Sequence, residues 1–219
     1  MVAYSFLAGG GVEPLSGFAW PLPEDGERGA WIDAESAPRE ALRGYPARDL
    51  PYWFDDELWM IELSGTVAER DHLLLGERAR LLGRIDSWTD PLAWEFVIAC
   101  ARRVARRAAA ALREDGRADA AARLEAPRDL GELVEAAGSA ADDPSAAGIL
   151  VGYVFDVCFY AREAGVGARA AGVAAKMSAY ALAGDLDDVP GYAERLAAER
   201  AWQADWLVER LGLKAALLD

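Results

Sequence analysis

The chain has 219 residues, 53% hydrophobic and 27% charged, with a formal net charge of −14 and two cysteines. That composition excludes a disordered or fibrous chain, and a body of this length buries roughly 70% of its unfolded surface without staples. The charge argues against nucleic acid, whose phosphates are held by clustered Lys and Arg. The acidity is spread out: 17 acids face 8 bases over residues 1–90, and 20 face 15 over 91–219. Lys176 and Lys214 are the lysines, so 21 of the 23 bases are arginines, and with abundant alanine this reads as GC-rich coding.

MVAYSFLAGGG lacks the basic start and long apolar region of a signal peptide. VAYSFL reads as a strand, and Gly9-Gly10-Gly11 as a tight reversal. No helix start or Lys-Ser/Thr follows the glycines, so they do not read as a phosphate-binding loop. Pro21, Pro23 and Gly26 mark the next loop, and Asp49-Leu50-Pro51 a helix or turn start with Asp49 free to cap.

PYWFDDELWMIEL, residues 51–63, raises the first question of function. Side chains alternate along an extended chain, so of Asp55, Asp56 and Glu57 at most Asp55 and Glu57 share a face. The triplet is therefore no ready-made carboxylate dyad. It reads as the solvated entrance of a strand, or as a site for a cation or an arginine-bearing partner. In the strand that follows, Trp59, Ile61 and Leu63 oppose Leu58, Met60 and Glu62. Ser64-Gly65 turns it, and VAE, LLLGE and ARLLGRID are expected to continue as a meander on one sheet. His72, the single histidine, falls in the polar turn Arg70-Asp71-His72 and reads as exposed.

From residue 90 the period becomes helical, with Asp90 as N-cap and Pro91 in the first turn. Val97, Ala101, Val104, Ala108 and Leu112 form an apolar stripe that Gly116 ends. Further helices are predicted over 117–125, 127–137, 144–164, 166–183 and 190–212, with Pro, Gly and Asp-rich breaks between them. The segment 146–161 is too short to span a membrane and carries Asp156, so it reads as a buried core helix. The expected fold is α+β: a small antiparallel β-rich module over 1–88 and a helical bundle over 89–219. The junction at Trp88-Thr89-Asp90 is too short for a linker, which predicts one compact unit.

Three constellations are candidate sites. Trp20, Trp31, Trp53, Trp59, Trp88 and Trp94 crowd the first 94 residues; they pad the sheet or line an apolar pocket or interface, with Trp53, Trp59, Asp55 and Glu57 as the binding candidates. Tyr153, Asp156 and Tyr160 share one helical face, and Lys176 and Tyr180 share the next. Antiparallel packing would bring Asp156 and Lys176 together inside the bundle, as a structural ion pair or as a polar pocket that contacts a ligand or moves a proton. Arg102, Arg103, Arg106 and Arg107 form a basic stripe, read as a solvated face or as a dock for an acidic partner. Cys100 and Cys158 lack metal or disulfide spacing, so neither metal nor cofactor is expected, and a reducing cytoplasm fits.

DLPYWFDDELWMIELSG and ERARLLGRIDSW resemble an uncharacterised N-terminal module of actinobacterial proteins, itself distantly similar to small phage-encoded proteins. That module carries Gly-X-His-Ala-Cys where this chain has Gly44-Tyr45-Pro46-Ala47-Arg48, so an activity needing the His and Cys, such as that of degenerate ADP-ribosyltransferase folds, is not implied. ERAWQADWLVERLGL, Glu199 to Leu213, resembles the helical domain of actinobacterial immunity proteins, which implies binding and blocking rather than catalysis. The functional expectation is a cytoplasmic, non-catalytic binding protein that engages a basic protein partner through an acidic, aromatic-bearing surface. The alternative is a cofactor-independent enzyme or binder of a small apolar ligand, in specialised metabolism, using a Trp-lined or Asp156/Lys176 pocket.

Overall fold

A computed structural model describes residues 1–24, 27–138, 144–184 and 189–213. Gly26 and the breaks over 139–143 and 185–188 lie outside the described residues. The fold is α+β, with antiparallel strands followed by helices. It divides into two compact units: Met1–Thr89 with the segment beginning at Ala204, and Asp90–Gln203.

Among the described residues the first unit has seven strands: β1 (Val2–Leu7), β2 (Ile32–Asp33), β3 (Arg43–Gly44), β4 (Glu57–Ser64), β5 (Ala68–Arg70), β6 (Leu73–Leu75) and β7 (Arg78–Arg84). They form two sheets rather than the expected single meander, one ordered β1-β4-β7-β2 and one β3-β6-β5. The reason is local. Arg70 pairs with Leu73, and the two residues between them, Asp71 and His72, both take positive φ, of 40° and 69°. That two-residue turn has the twist that closes a tight hairpin. β5 and β6 therefore pair with each other, and β7 returns to β4. The alternation read for β4 holds: Trp59, Ile61 and Leu63 enter a core with Leu7, Leu74, Ala79 and Leu81.

The second unit is built from α1 (Asp90–Glu114), α2 (Ala118–Glu125), α3 (Leu130–Gly138), α4 (Ala146–Ala164), α5 (Gly167–Ala183) and most of α6 (Val189–Leu211). The predicted stripe of α1 is buried, and α4 and α5 pack against it. Alanines fill the α5 side, including Ala170, Ala171, Ala174 and Ala175. Asp90, expected to cap its own helix, lends Oδ1 to the N–H of Gly167 at 2.7 Å, satisfying a donor at the start of α5. A Cβ on Gly167 would lie 2.4 Å from that oxygen, so this close approach requires glycine. No helix among the described residues is long and apolar enough to cross a membrane.

Candidate functional site

The acidic triplet is absorbed by the turn after β1. Glu57 accepts from the N–H groups of Gly10 at 3.3 Å and Gly11 at 3.0 Å, and Asp56 accepts from Gly9 at 3.2 Å. Gly10 and Gly11 sit at φ 79° and 71°, a conformation glycine adopts without the Cβ penalty. Successive N–H groups then converge on an anion, and here the anion is the chain's own carboxylate. Glu57 Oε2 also accepts the indole N–H of Trp59 at 3.0 Å. Asp55 accepts the N–H of Asp56 on its side chain and the indole N–H of Trp88 on its backbone. The sequence expectation of a solvated lip missed these donors, because the glycines lie 46 or 47 residues away.

The tryptophans do not gather into one cluster. Trp59 is 7% exposed and joins Trp20 in the core. Trp88 packs against Phe6 and Phe54, and Trp31 lies beneath Arg78 and Arg80. Trp53 stacks on Tyr45 with centroids 4.8 Å apart, and Arg43 stands over both rings. Arg43 is in turn fixed by Glu13 at 2.6 Å, and the other Glu13 oxygen accepts from the backbone N–H of Leu15 and from the N–H and hydroxyl of Ser16. Burial pushes the Tyr45 phenol up to about 12.

His72 is exposed in its turn, as read from the sequence, and it also has a partner. Its Nδ1 lies 2.8 Å from Oδ1 of Asp49, a buried carboxylate on the 3-10 segment Ala47–Tyr52, and its ring stacks on Tyr52 at 4.0 Å. Asp49, expected as a helix cap, serves this pair instead, with Arg48 at 3.6 Å from its second oxygen.

The helical candidates are also placed differently. Tyr153, Asp156 and Tyr160 do share a face, but it is the solvent face of α4, opposite buried Val151, Val154, Cys158 and Ala161. Lys176 and Tyr180 are exposed on α5, and among the described residues Lys176 forms no ion pair with Asp156. The expected meeting inside the bundle does not occur, because the apolar faces that pack are lined by Val and Ala.

What α4 presents instead is a stripe at helical spacing: Ile149, Gly152, Tyr153, Asp156, Phe159, Tyr160 and Glu163. Ile149, Phe159 and Tyr160 are 54%, 40% and 50% exposed. Phe159 stacks on Phe155 at 5.6 Å and meets Tyr160 edge-on at 5.4 Å. A Cβ on Gly152 would meet nothing within 4 Å, so the middle of the stripe is open. Partial burial among these rings raises the Asp156 carboxyl above its ordinary value. Sequence reading found three of these residues but assigned them to an interior, since an apolar helix with one acid reads as buried.

On the other side of the unit, Ser178, Glu199, Arg200 and Gln203 form a buried polar network. Gln203 Nε2 donates to Ala175 O at 3.0 Å, Ser178 Oγ at 3.1 Å and Glu199 Oε1 at 3.4 Å, while its Oε1 accepts from Arg200 at 3.0 Å. Arg103 donates to Glu199 Oε2 at 2.5 Å and lies over the Trp202 ring at 4.4 Å. Burial raises the Glu199 carboxyl and pushes the nearby Cys100 thiol up to about 12. Among the described residues no three of His, Cys, Asp and Glu converge as metal ligands. Compared against known protein families, curated proteins and solved structures, the chain matches none.

Proposed function

We propose that the chain is a non-catalytic binding protein of the immunity type, and that its acidic, aromatic-bearing surface is the outward stripe of α4. The observation that carries this reading is the exposure of Ile149, Phe159 and Tyr160, with half-buried Tyr153, around Asp156 on one helix face. An exposed apolar patch of this kind is costly in water, and Tyr-rich patches concentrate binding energy. The occupant is a basic protein. Asp156 and Glu163 are the charges on the stripe, and the chain carries −14, so a second copy would set like charge against like charge while a cationic partner is attracted. Of the two pockets considered for the enzyme reading, the Asp156/Lys176 one is not formed, since Lys176 is exposed on α5 and Asp156 lies on the outward face of α4.

Affinity capture from the producing host tests this with three baits: wild type, Phe159→Ser/Tyr160→Ser, and Lys176→Ala. A protein of high isoelectric point is expected on wild type and on Lys176→Ala, released by salt and missing from the stripe variant. Equal capture by all three baits, or sedimentation showing wild type dimerising through the stripe, contradicts the reading.

A further inference from the structure

The outward stripe of α4 has a notch in it. A Cβ on Gly152 would meet nothing within 4 Å, so the side chains of Ile149 and Asp156 on either side leave that stretch of backbone open. Glycine in a helix interior is less favourable than alanine, and no close approach requires it here, unlike at Gly167. Packing within the chain does not account for the notch.

One turn along stands Asp156, a half-buried carboxylate with no hydrogen bond or ion pair among the described residues. Its neighbours three and four positions away on α4 are Gly152, Tyr153, Phe159 and Tyr160, so no base on its own helix meets it. A carboxylate kept partly from water and left unpaired is costly, and an incoming cation relieves that cost. Side chains on a helix lean toward its N-terminus, which carries the Asp156 carboxylate toward the notch and the Tyr160 ring toward Asp156. Tyr160 is 50% exposed and is braced edge-on by Phe159 at 5.4 Å. The faces of such rings attract cations. An open notch, an unpaired carboxylate and a braced ring therefore lie in one row.

We infer that this row receives one arginine side chain of the partner, its stem over Gly152, its guanidinium paired with Asp156 and stacked on Tyr160. The inference rests on the proposed function, in which the arginine belongs to the basic protein. Arginine fits better than lysine. Its planar fork offers paired donors to a carboxylate and stacks on a ring, and it gives up hydration more readily than a compact ammonium does.

Nuclear magnetic resonance titration of the full chain with N-acetyl-arginine amide, N-acetyl-lysine amide and N-acetyl-citrulline amide tests it, since citrulline has the shape of arginine without the charge. The arginine probe is expected to shift Gly152, Asp156 and Tyr160 saturably, with a dissociation constant on the order of 10 mM for one exposed pair. Lysine is expected to bind at least about threefold more weakly and citrulline at least about tenfold. Gly152→Leu fills the notch with a better helix former, and Asp156→Asn removes the charge. Both variants keep a melting temperature at or above wild type and bind the arginine probe at least about fivefold more weakly. Glu163→Gln, farther along the stripe, keeps wild-type affinity. Equal binding of the lysine or citrulline probe, or wild-type affinity in either variant, overturns the inference. The two readings fail separately: a wild-type bait that captures no basic protein overturns the proposed function, whereas capture unchanged on a Gly152→Leu bait overturns the arginine anchor alone.

Discussion

His72 is clamped by Asp49: imidazole Nδ1 and carboxylate Oδ1 lie 2.8 Å apart across 23 residues of chain. The clamp joins the β5–β6 turn to the 3-10 segment Ala47–Tyr52, and it holds His72 at a φ of 69°, where a side chain is strained.

Two substitutions separate the strain from the bond. His72→Ala loses the Asp49 contact and keeps the strain, for a cost of about 2 kcal/mol. His72→Gly loses the same contact but relieves the backbone, so it is expected to be the more stable of the two. Urea denaturation of both reads the order directly; an alanine variant as stable as the glycine one rules out strain at this turn.

Glu57→Ala leaves the N–H groups of Gly10 and Gly11 and the Trp59 indole without their acceptor. A loss of about 2 to 3 kcal/mol is expected, since partly buried donors lose a charged partner. Gly10→Ala, at φ 79° with open space around it, costs about 1 kcal/mol through backbone strain alone. Chemical denaturation checks both figures.

What the sequence revealed was periodic, and what it concealed was distant. The strand around Ile61 and the helices from Asp90 onward follow from alternation and from the 3.6-residue stripe, which are local signals. The β5–β6 hairpin was hidden because Asp-His replaces the Asn-Gly or Asp-Gly that usually announces such a turn. Of the site, the shared face of Tyr153, Asp156 and Tyr160 was legible, but its direction was not. Val and Ala on one side and Ile, Tyr and Phe on the other are both apolar, so hydrophobicity alone could not say which side packs. The Arg103–Glu199–Gln203 network joins α1 to α6, and no spacing rule connects residues 96 apart.

Gln203→Leu tests that network. Gln203 is fully buried and serves Ala175 O, Ser178, Glu199 and Arg200 together. Replacing it by an apolar side chain of similar size takes a hydrogen bond from four polar partners, for a loss of about 3 kcal/mol in guanidinium unfolding. Stability within experimental error of wild type contradicts the account.

Burial pushes Cys100 and Cys158 up to about 12, from an ordinary 9.0. In the folded chain both thiols stay protonated where unfolded thiols ionise, so the unfolded state releases protons first as pH rises. Stability is therefore unaffected by these groups below about pH 9 and falls between about 9 and 12. A thiol reagent at pH 8 is expected to find neither cysteine in the native protein and both in denaturant. Cys100→Ala/Cys158→Ala should flatten the alkaline limb of the stability curve, to which Tyr45 also contributes.

Asp156→Asn removes a carboxyl whose ionised form burial disfavours. A raised acid pKa means folding is favoured at low pH and loses stability as pH rises from the ordinary carboxyl range through the raised value. At neutral pH the asparagine variant should melt at or above the wild-type temperature, and the difference should vanish in acid. A variant that melts lower at neutral pH would mean the carboxylate holds the helix rather than faces a partner.

The central claim is that α4 meets a basic protein through the rings around Asp156. A photo-crosslinking residue placed at position 160 in the producing host, with a control at exposed position 123, tests it most directly. The account predicts an adduct with a basic protein from position 160 alone, abolished when Asp156→Lys is added. No adduct at 160, or one indifferent to that charge reversal, contradicts it.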